Sequence, residues 1–148
     1  MKYLAKNRKA YHEYHILEKF EAGLVLEGNE VKSIRQGQLS IQEAYVEIRQ
    51  QEAWVIGMNV TPYEQAGSFR SEPTRPRKLL LHRRQIDQLY EAVKQQGVTI
   101  VPLSVYISPR GHVKLEIGLA RGKKLYDKRE AQKERDTKRY LDRYLKTN

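Results

Sequence analysis

The sequence predicts a mainly β fold with flanking helices, five or six antiparallel strands closed or nearly closed into a barrel, and a basic C-terminal tail. Three observations predict it. Alternation of apolar and polar residues with period two recurs in separate segments, the mark of half-buried strands. Gly, Pro and Asn punctuate those segments at short intervals. Finally, six of the ten excess positive charges lie between Arg121 and Asn148, where 11 basic residues face 5 acidic ones. From Asp127 to Arg139 the single apolar residue is Ala131, too little to offset the entropy of ordering the segment. The chain therefore divides into a β-rich body, residues 1–120, and a tail, residues 121–148, expected to be disordered or helical on binding a partner.

The segment up to His12 is polar and basic and reads as an arm. His15 to Leu26 is rich in branched and aromatic residues, interrupted by Gly23, and reads as a long strand with a bend or bulge at that glycine. Gly28 to Gly37 reads as a short helix, with Val31 and Ile34 three apart, Asn29 able to cap its start and Gly37 suited to its stop. Ala44, Val46 and Ile48 alternate with polar residues, as do Trp54, Ile56, Met58 and Val60 after Gln50-Gln51-Glu52, which predicts a hairpin. Pro62 to Arg77 has no periodicity and gathers Arg70, Arg75, Arg77 and, just after, Lys78, the composition of a long basic loop. In Arg83 to Gln96, Ile86, Leu89, Tyr90 and Val93 fall at i, i+3, i+4 and i+7, a helix stopped by Gly97. Val98 to Ile107 and Val113 to Leu119 are strands joined by the turn Ser108-Pro109-Arg110-Gly111.

Composition narrows the function. With no cysteine, disulfides and cysteine-ligated zinc or iron–sulfur centres are excluded, and nothing points to secretion. Lys2, Lys6, Arg8 and Lys9 are not followed by an apolar run of signal-peptide length. No stretch approaches the ~18 apolar residues of a membrane span, so a soluble, cytoplasmic protein is expected. A net charge of +10 calls for a polyanion, since each neutralised phosphate releases condensed counterions. An anionic membrane would want a basic helix with a wide apolar face, which the tail lacks until its last few residues.

Candidate sites are weighed against plainer readings. Around Gly122-Lys123-Lys124 the tail is no phosphate-cradling loop, because Ile117 stands five residues earlier where a glycine is needed, and Lys124 where a serine or threonine is. Its functional reading is a segment that folds on RNA, with Glu134→Lys138 and Asp142→Lys146 spaced to support a helix; its plainer reading is a solubilising tail. At the N-terminus, Tyr3, Lys6, Arg8, Lys9, Tyr11, His12 and Tyr14 interleave aromatics with bases, which suits stacking on nucleobases beside phosphate contacts. Tyr11 and Tyr14 could equally just cover the barrel. His12 and His15 are three apart like metal ligands, but they lie in a strand-like segment, with His82 and His112 far off in sequence, so no metal is expected. Glu21 sits in a mostly apolar strand without a nucleophile or second carboxylate nearby in sequence, more consistent with partner binding than acid–base work. No Gly-x-Ser-x-Gly, His-Glu-x-x-His or Gly-x-Gly-x-x-Gly occurs, so neither an enzyme nor a cofactor is expected.

Asn7-Arg8-Lys9-Ala10-Tyr11-His12-Glu13-Tyr14, then Phe20 to Ser33 with Glu21, Gly23 and Gly28, then Lys78-Leu79-Leu80-Leu81-His82 and Gly122-Lys123-Lys124-x-x-Asp127-Lys128-Arg129, resemble the SsrA-binding protein family, also called small protein B. The four motifs run in the family's order over essentially the whole chain. The resemblance implies a six-stranded antiparallel oligonucleotide-binding-type barrel. It also implies a role as a non-enzymatic factor that binds the tRNA-like domain of transfer-messenger RNA and delivers it to stalled ribosomes for trans-translation. The implied partners are that RNA and small-subunit ribosomal RNA, not DNA or membrane, with the protein a monomer in the RNA complex. RNA-binding positions are implied at Asn7, Arg8, Lys9, His12, Tyr14, Glu21, Lys78, Leu80, His82 and Lys114. Gly122, Lys123, Lys124, Tyr126, Asp127, Lys128 and Arg129 are implied to serve the decoding centre, the tail entering the empty mRNA channel. Tyr126 stands where some members have histidine, and Thr137 where some have tryptophan. The alternative is a ribosomal or other structural rRNA-binding protein.

Overall fold

The architecture follows from a computed structural model, which describes residues 2–63 and 72–123. Nine strands and three helices occur among them: β1 (Lys2–Lys6), α1 (Arg8–Glu13), β2 (Tyr14–Leu24), α2 (Gly28–Arg35), β3 (Leu39–Ser40), β4 (Tyr45–Arg49), β5 (Glu52–Ile56), β6 (Asn59–Val60), β7 (Arg77–Leu80), α3 (Arg83–Ala92), β8 (Val98–Ile107) and β9 (Val113–Gly122). Seven strands form one antiparallel sheet in the order β1-β8-β4-β5-β7-β2-β9, and β8 also pairs with β9. The pairings of β8, β4, β5, β7, β2 and β9 thus close a six-membered ring, in which β4 and β8 meet through the single pair Val46 and Ile100. β3 and β6 form a separate short ribbon.

The core fills this ring. Ala22, Val46, Ala53, Val55, Leu79, Ile100, Val105, Leu115 and Ile117 point inward, and α2 and α3 close it with Ile34 and Leu89, both fully buried. Alternation along each strand puts the partners of these residues on the outer face. β8 is the exception. It is buried on both sides, because α1 and β1 cover its outer face through Val101, Leu103 and Tyr106. That double cover explains an apolar run too continuous for a half-exposed strand.

Several expectations are corrected. The opening segment is not an arm: β1 pairs with β8, and Asn7 then starts α1, its Oδ1 accepting from the Ala10 N–H at 3.1 Å. The bulge in β2 lies between Ile16 and Glu18 rather than at Gly23, which is instead paired on both sides, with Leu80 and with Lys114. Glu27, not Asn29, caps α2, its own N–H donating to Glu30 Oε1 at 2.9 Å. In the hairpin, Gly57 adopts φ +80°, which reverses the alternation: Ala53 and Val55 face the core before it and Met58 and Val60 after it, leaving Trp54 and Ile56 half-buried outside. Helix α3 ends at Ala92, and Tyr90 is exposed.

The largest correction concerns Arg77. It belongs to β7 rather than a basic loop, and its side chain is completely buried. Its Nε donates to Glu30 Oε2 at 2.6 Å, and its other nitrogens donate to the carbonyls of Met58 at 2.7 Å, Pro73 at 3.0 Å and Arg75 at 3.2 Å. Arg75 adds a second guanidinium to Glu30, through Nε at 3.1 Å. Burial by itself would raise the Glu30 pKa. Hydrogen bonds from Arg75, the Glu27 backbone and Arg77 outweigh it and hold the carboxyl below its ordinary value of 4.5.

A carboxyl depressed in the folded state contributes stability that is present above its unfolded value and is lost as pH falls through the folded one. Stability carried by Glu30 should therefore be level near neutrality and decline below about pH 4.5. Glu30→Gln should flatten that acid limb in urea titrations across pH. Glu30→Ala should cost about 3–5 kcal/mol at pH 7, the range for orphaning one partner of a buried ion pair; a loss below about 1 kcal/mol would show that the two arginines find other partners.

Candidate nucleic-acid interface

The residues singled out in the sequence divide by their place in this fold. Glu21, Leu80 and Lys114, far apart in the chain, lie on one outer face. Strand β2 sits between β7 and β9, with Gly23 opposite both Leu80 and Lys114 and Glu21 opposite Glu116. Since Ala22, Leu79 and Leu115 face the core, their neighbours Glu21, Gly23, Leu80, Lys114 and Glu116 face outward. Leu80 is 54% exposed, high for a leucine, and a Cβ on Gly23 would come within 3.2 Å of the Leu80 Cβ. The bare glycine therefore lets Leu80 lie against the strand. Between them runs a groove of about 420 Å³, whose wall includes Leu24, Leu26 and Val31 and whose rim carries Lys114, Arg35 and His112. Arg35 is fixed there by donating to the Gly111 carbonyl at 2.7 Å.

The same face continues along β2 toward α1. Two residues before Glu21, the Lys19 Nζ sits 5.6 Å from the centre of the Tyr11 ring. Tyr11 itself is half-exposed, and its carbonyl accepts from Lys123 Nζ at 3.1 Å, so the end of β9 is tied back to α1. Arg8, Lys9 and His12 are exposed on α1, and Lys9 pairs with Glu43 at 2.9 Å. Tyr14 is half-buried against the small cluster of Ala10, Val101, Leu103 and Ala120. Of the two tyrosines weighed in the sequence, Tyr14 covers the barrel and Tyr11 offers a surface ring.

Asn7 is not a surface residue. It is 2% exposed, and besides capping α1 its Nδ2 donates to the Pro102 carbonyl at 2.8 Å, which fastens the helix to β8. It positions Arg8, Lys9 and His12 rather than presenting itself. Lys78 lies on the outer face of β7 with an ion pair to Glu52 at 3.4 Å, and His82 is exposed at the cap of α3. Gly122 ends β9, whereas Lys124, Tyr126, Asp127, Lys128 and Arg129 fall outside the described residues.

Sequence reasoning missed Tyr106. It is 3% exposed, its ring lies 5.7 Å from that of Tyr3, and its hydroxyl donates to Glu21 Oε2. Burial first, and the Glu21 carboxylate second, push its pKa well above the ordinary tyrosine value, so it remains a proton donor. A signal was present: a buried tyrosine in an aliphatic strand needs a partner for its hydroxyl. Arg35 lay in a segment read as a helix and His112 just past the turn ending at Gly111, and only the fold brings them to the groove. Among the described residues, no three histidine, aspartate or glutamate side chains gather so as to hold a metal ion.

Comparison with known proteins is consistent across the chain. The family model described as SmpB protein matches residues 4–147. The chain is 48% identical over 145 residues to the SsrA-binding protein of Carboxydothermus hydrogenoformans, covering 98% of this chain and 97% of that one. It is 55% identical over 145 residues to that of Roseiflexus castenholzii, covering 97% and 90%. A chain in a solved structure described as "tmRNA-SmpB: a journey to the center of the bacterial ribosome" aligns with a TM-score of 0.68 and 41% identity, covering 80% of this chain and 83% of that one.

Asn7→Ala should cost about 2 kcal/mol, from the lost helix cap and the unsatisfied Pro102 carbonyl together. Urea denaturation followed by far-UV circular dichroism measures it, and an unchanged midpoint would show that α1 is held by its apolar contacts alone.

Proposed function

The chain belongs to the SmpB protein family, and from that premise we propose that it is a non-enzymatic RNA-binding factor that grips the tRNA-like domain of transfer-messenger RNA and delivers it to stalled ribosomes. The observation that carries this reading is the convergence of Glu21, Leu80 and Lys114 on one groove-bearing outer face, across three adjacent strands. These are the positions at which the family resemblance implies RNA contact. The chemistry suits a folded RNA. An A-form helix has a major groove too deep and narrow for side chains, so a barrel face must engage RNA by shape, phosphates and unpaired bases. Lys114, Arg35 and the exposed bases of α1 supply the phosphate contacts; Leu80 and Tyr11 supply apolar surface for bases or riboses.

In this reading the body and the tail divide the work. The body holds the RNA, while the tail enters the empty mRNA channel near the decoding centre, with Gly122, Lys123, Lys124, Tyr126, Asp127, Lys128 and Arg129 serving that step. No helix among the described residues is long and apolar enough to cross a membrane, and the place of action proposed is the ribosome in the cytoplasm.

A fluorescence titration at about 0.2 M salt, where unspecific phosphate attraction is weakened, should show tight binding to the tRNA-like domain and weak binding to an ordinary tRNA of similar length. Equal weak binding to both would overturn the assignment in favour of a general rRNA-binding protein. Lys114→Ala should weaken the specific complex by about 1–3 kcal/mol, the range of a charge-assisted hydrogen bond. Truncation after Lys123 should leave that affinity nearly intact and abolish tagging of stalled chains in a reconstituted translation assay. Loss of RNA binding by the truncated protein would show that the grip is not confined to the body.

A further inference from the structure

The outer face of β2 carries an anomaly for a protein whose net charge is +10. Glu21 and Glu116 stand directly opposite each other across β2 and β9, in the middle of the surface proposed to meet a polyanion. Like charges so placed repel each other, and both repel phosphate. A carboxylate kept there must be useful for something that phosphate attraction does not supply.

Tyr106 indicates what that is. On β8 it is paired with Lys114, so its side chain must cross the whole of β9 to bring its hydroxyl to Glu21. From behind, the Tyr3 ring packs on it at 5.7 Å, and Lys6 Nζ lies 4.6 Å from the centre of that ring. The ring is therefore buried and braced, while the carboxylate it holds is exposed. An ionised carboxylate has about four lone-pair sites. Tyr106 occupies one, on Oε2, and fixes the orientation of the group, leaving further lone pairs on an exposed side chain.

We propose that Tyr106 and Glu21 form an acceptor subsite for hydrogen-bond donors of unpaired nucleotides, either the imino and amino edge of guanine or a ribose 2′-hydroxyl. Phosphate oxygens carry no donors, and in paired regions the guanine edge is already engaged. An oriented acceptor thus rewards nucleotides that present such a donor and penalises phosphate approaching the same spot. Glu21 makes the contact, Tyr106 is the positioning residue, and neighbouring Lys114 supplies the attraction that brings RNA within reach. The subsite rests on the RNA-binding reading given above and adds a source of selectivity to it.

The test compares wild type, Tyr106→Phe, Glu21→Gln and the double variant in titrations with the tRNA-like domain of transfer-messenger RNA and with an ordinary tRNA, over a range of salt. Wild-type selectivity checks the underlying reading; its absence would remove both proposals. Given that selectivity, each single variant should bind the tRNA-like domain about tenfold more weakly, and the double variant no more weakly than either, because the two residues act as one unit. The slope of log Kd against log salt should stay at its wild-type value, since no phosphate contact is lost. Glu21→Gln, at an exposed position, keeps the test valid should Tyr106→Phe unfold. Two modified RNAs separate the donors, one with inosine for its unpaired guanosines and one with 2′-deoxyribose at the same positions. One of them should weaken the wild type more than Glu21→Gln, whose amide keeps a single, weaker acceptor oxygen. Unchanged affinity in both single variants, a changed salt slope, or equal responses of wild type and Glu21→Gln to both modified RNAs would overturn the subsite while leaving the assignment of the protein standing.

Discussion

The buried guanidinium of Arg77 is the constraint on which the rest of this fold turns. Its nitrogens reach one carboxylate and three backbone carbonyls, drawn from α2, from the end of the β5–β6 segment and from the stretch leading into β7. No apolar residue could do this, because the carbonyls of Met58 and Arg75 belong to irregular chain and would lose these hydrogen bonds, while that of Pro73 would keep only the one from the Val60 N–H. Lysine would place one compact charge where a planar fork of donors is needed. Replacing such a pair by well-packed apolar groups can be neutral or even stabilising in other settings. Here the pair also closes irregular backbone, and that is the reason it is difficult to dispense with.

Its consequence reaches the surface. Arg77 begins β7 and Leu80 ends it, so an anchor that fixes the first residue fixes where the last one projects. Alternation then does the rest: with Arg77 and Leu79 inward, Lys78 and Leu80 must face out. Gly23 receives Leu80, and Gly118 performs a comparable service below α1, where an added Cβ would come within 2.9 Å of Leu103 Cδ1 and 3.1 Å of Ile16 Cγ2. Two absent side chains thus let Leu80 lie against β2, and Leu103 of β8 and Ile16 of β2 close over β9. The outer face of β7, β2 and β9 owes its shape to these approaches as much as to the residues that line it.

What could be read in the sequence followed from local pattern. Period-two segments placed β4 and β9, the apolar run from Val98 placed β8, and the spacing of Val31 and Ile34 placed α2, because such patterns are properties of neighbouring residues. Arg77 was misread for the same reason. In sequence it is one of a run of bases, and nothing nearby in the chain announces that Glu30, 47 positions earlier, will meet it. Gly57 shows a subtler limit, since a single positive φ exchanged the two faces of the hairpin strand while leaving its hydrophobic count unchanged. At the candidate interface, Glu21, Leu80 and Lys114 came from family resemblance. Tyr106 came from neither pattern nor resemblance, because its role depends on a contact across three strands.

The distribution of charge suggests how a protein this basic avoids being merely sticky. Uniform positive charge attracts any phosphate backbone and carries no information about the partner. The barrel instead ties down several of its cations: Arg75 and Arg77 on Glu30, Lys78 on Glu52, and Arg83 on Asp87. Those pairs lower the unspecific pull of the body without removing positive charge from the chain as a whole. On the face between β7 and β9, by contrast, the groups are an aliphatic side chain, an oriented carboxylate and a half-buried lysine, each suited to a different part of a nucleotide. Attraction there is weak until shape and hydrogen bonding agree with it. Selectivity on such a surface comes from limiting electrostatic attraction rather than from increasing it.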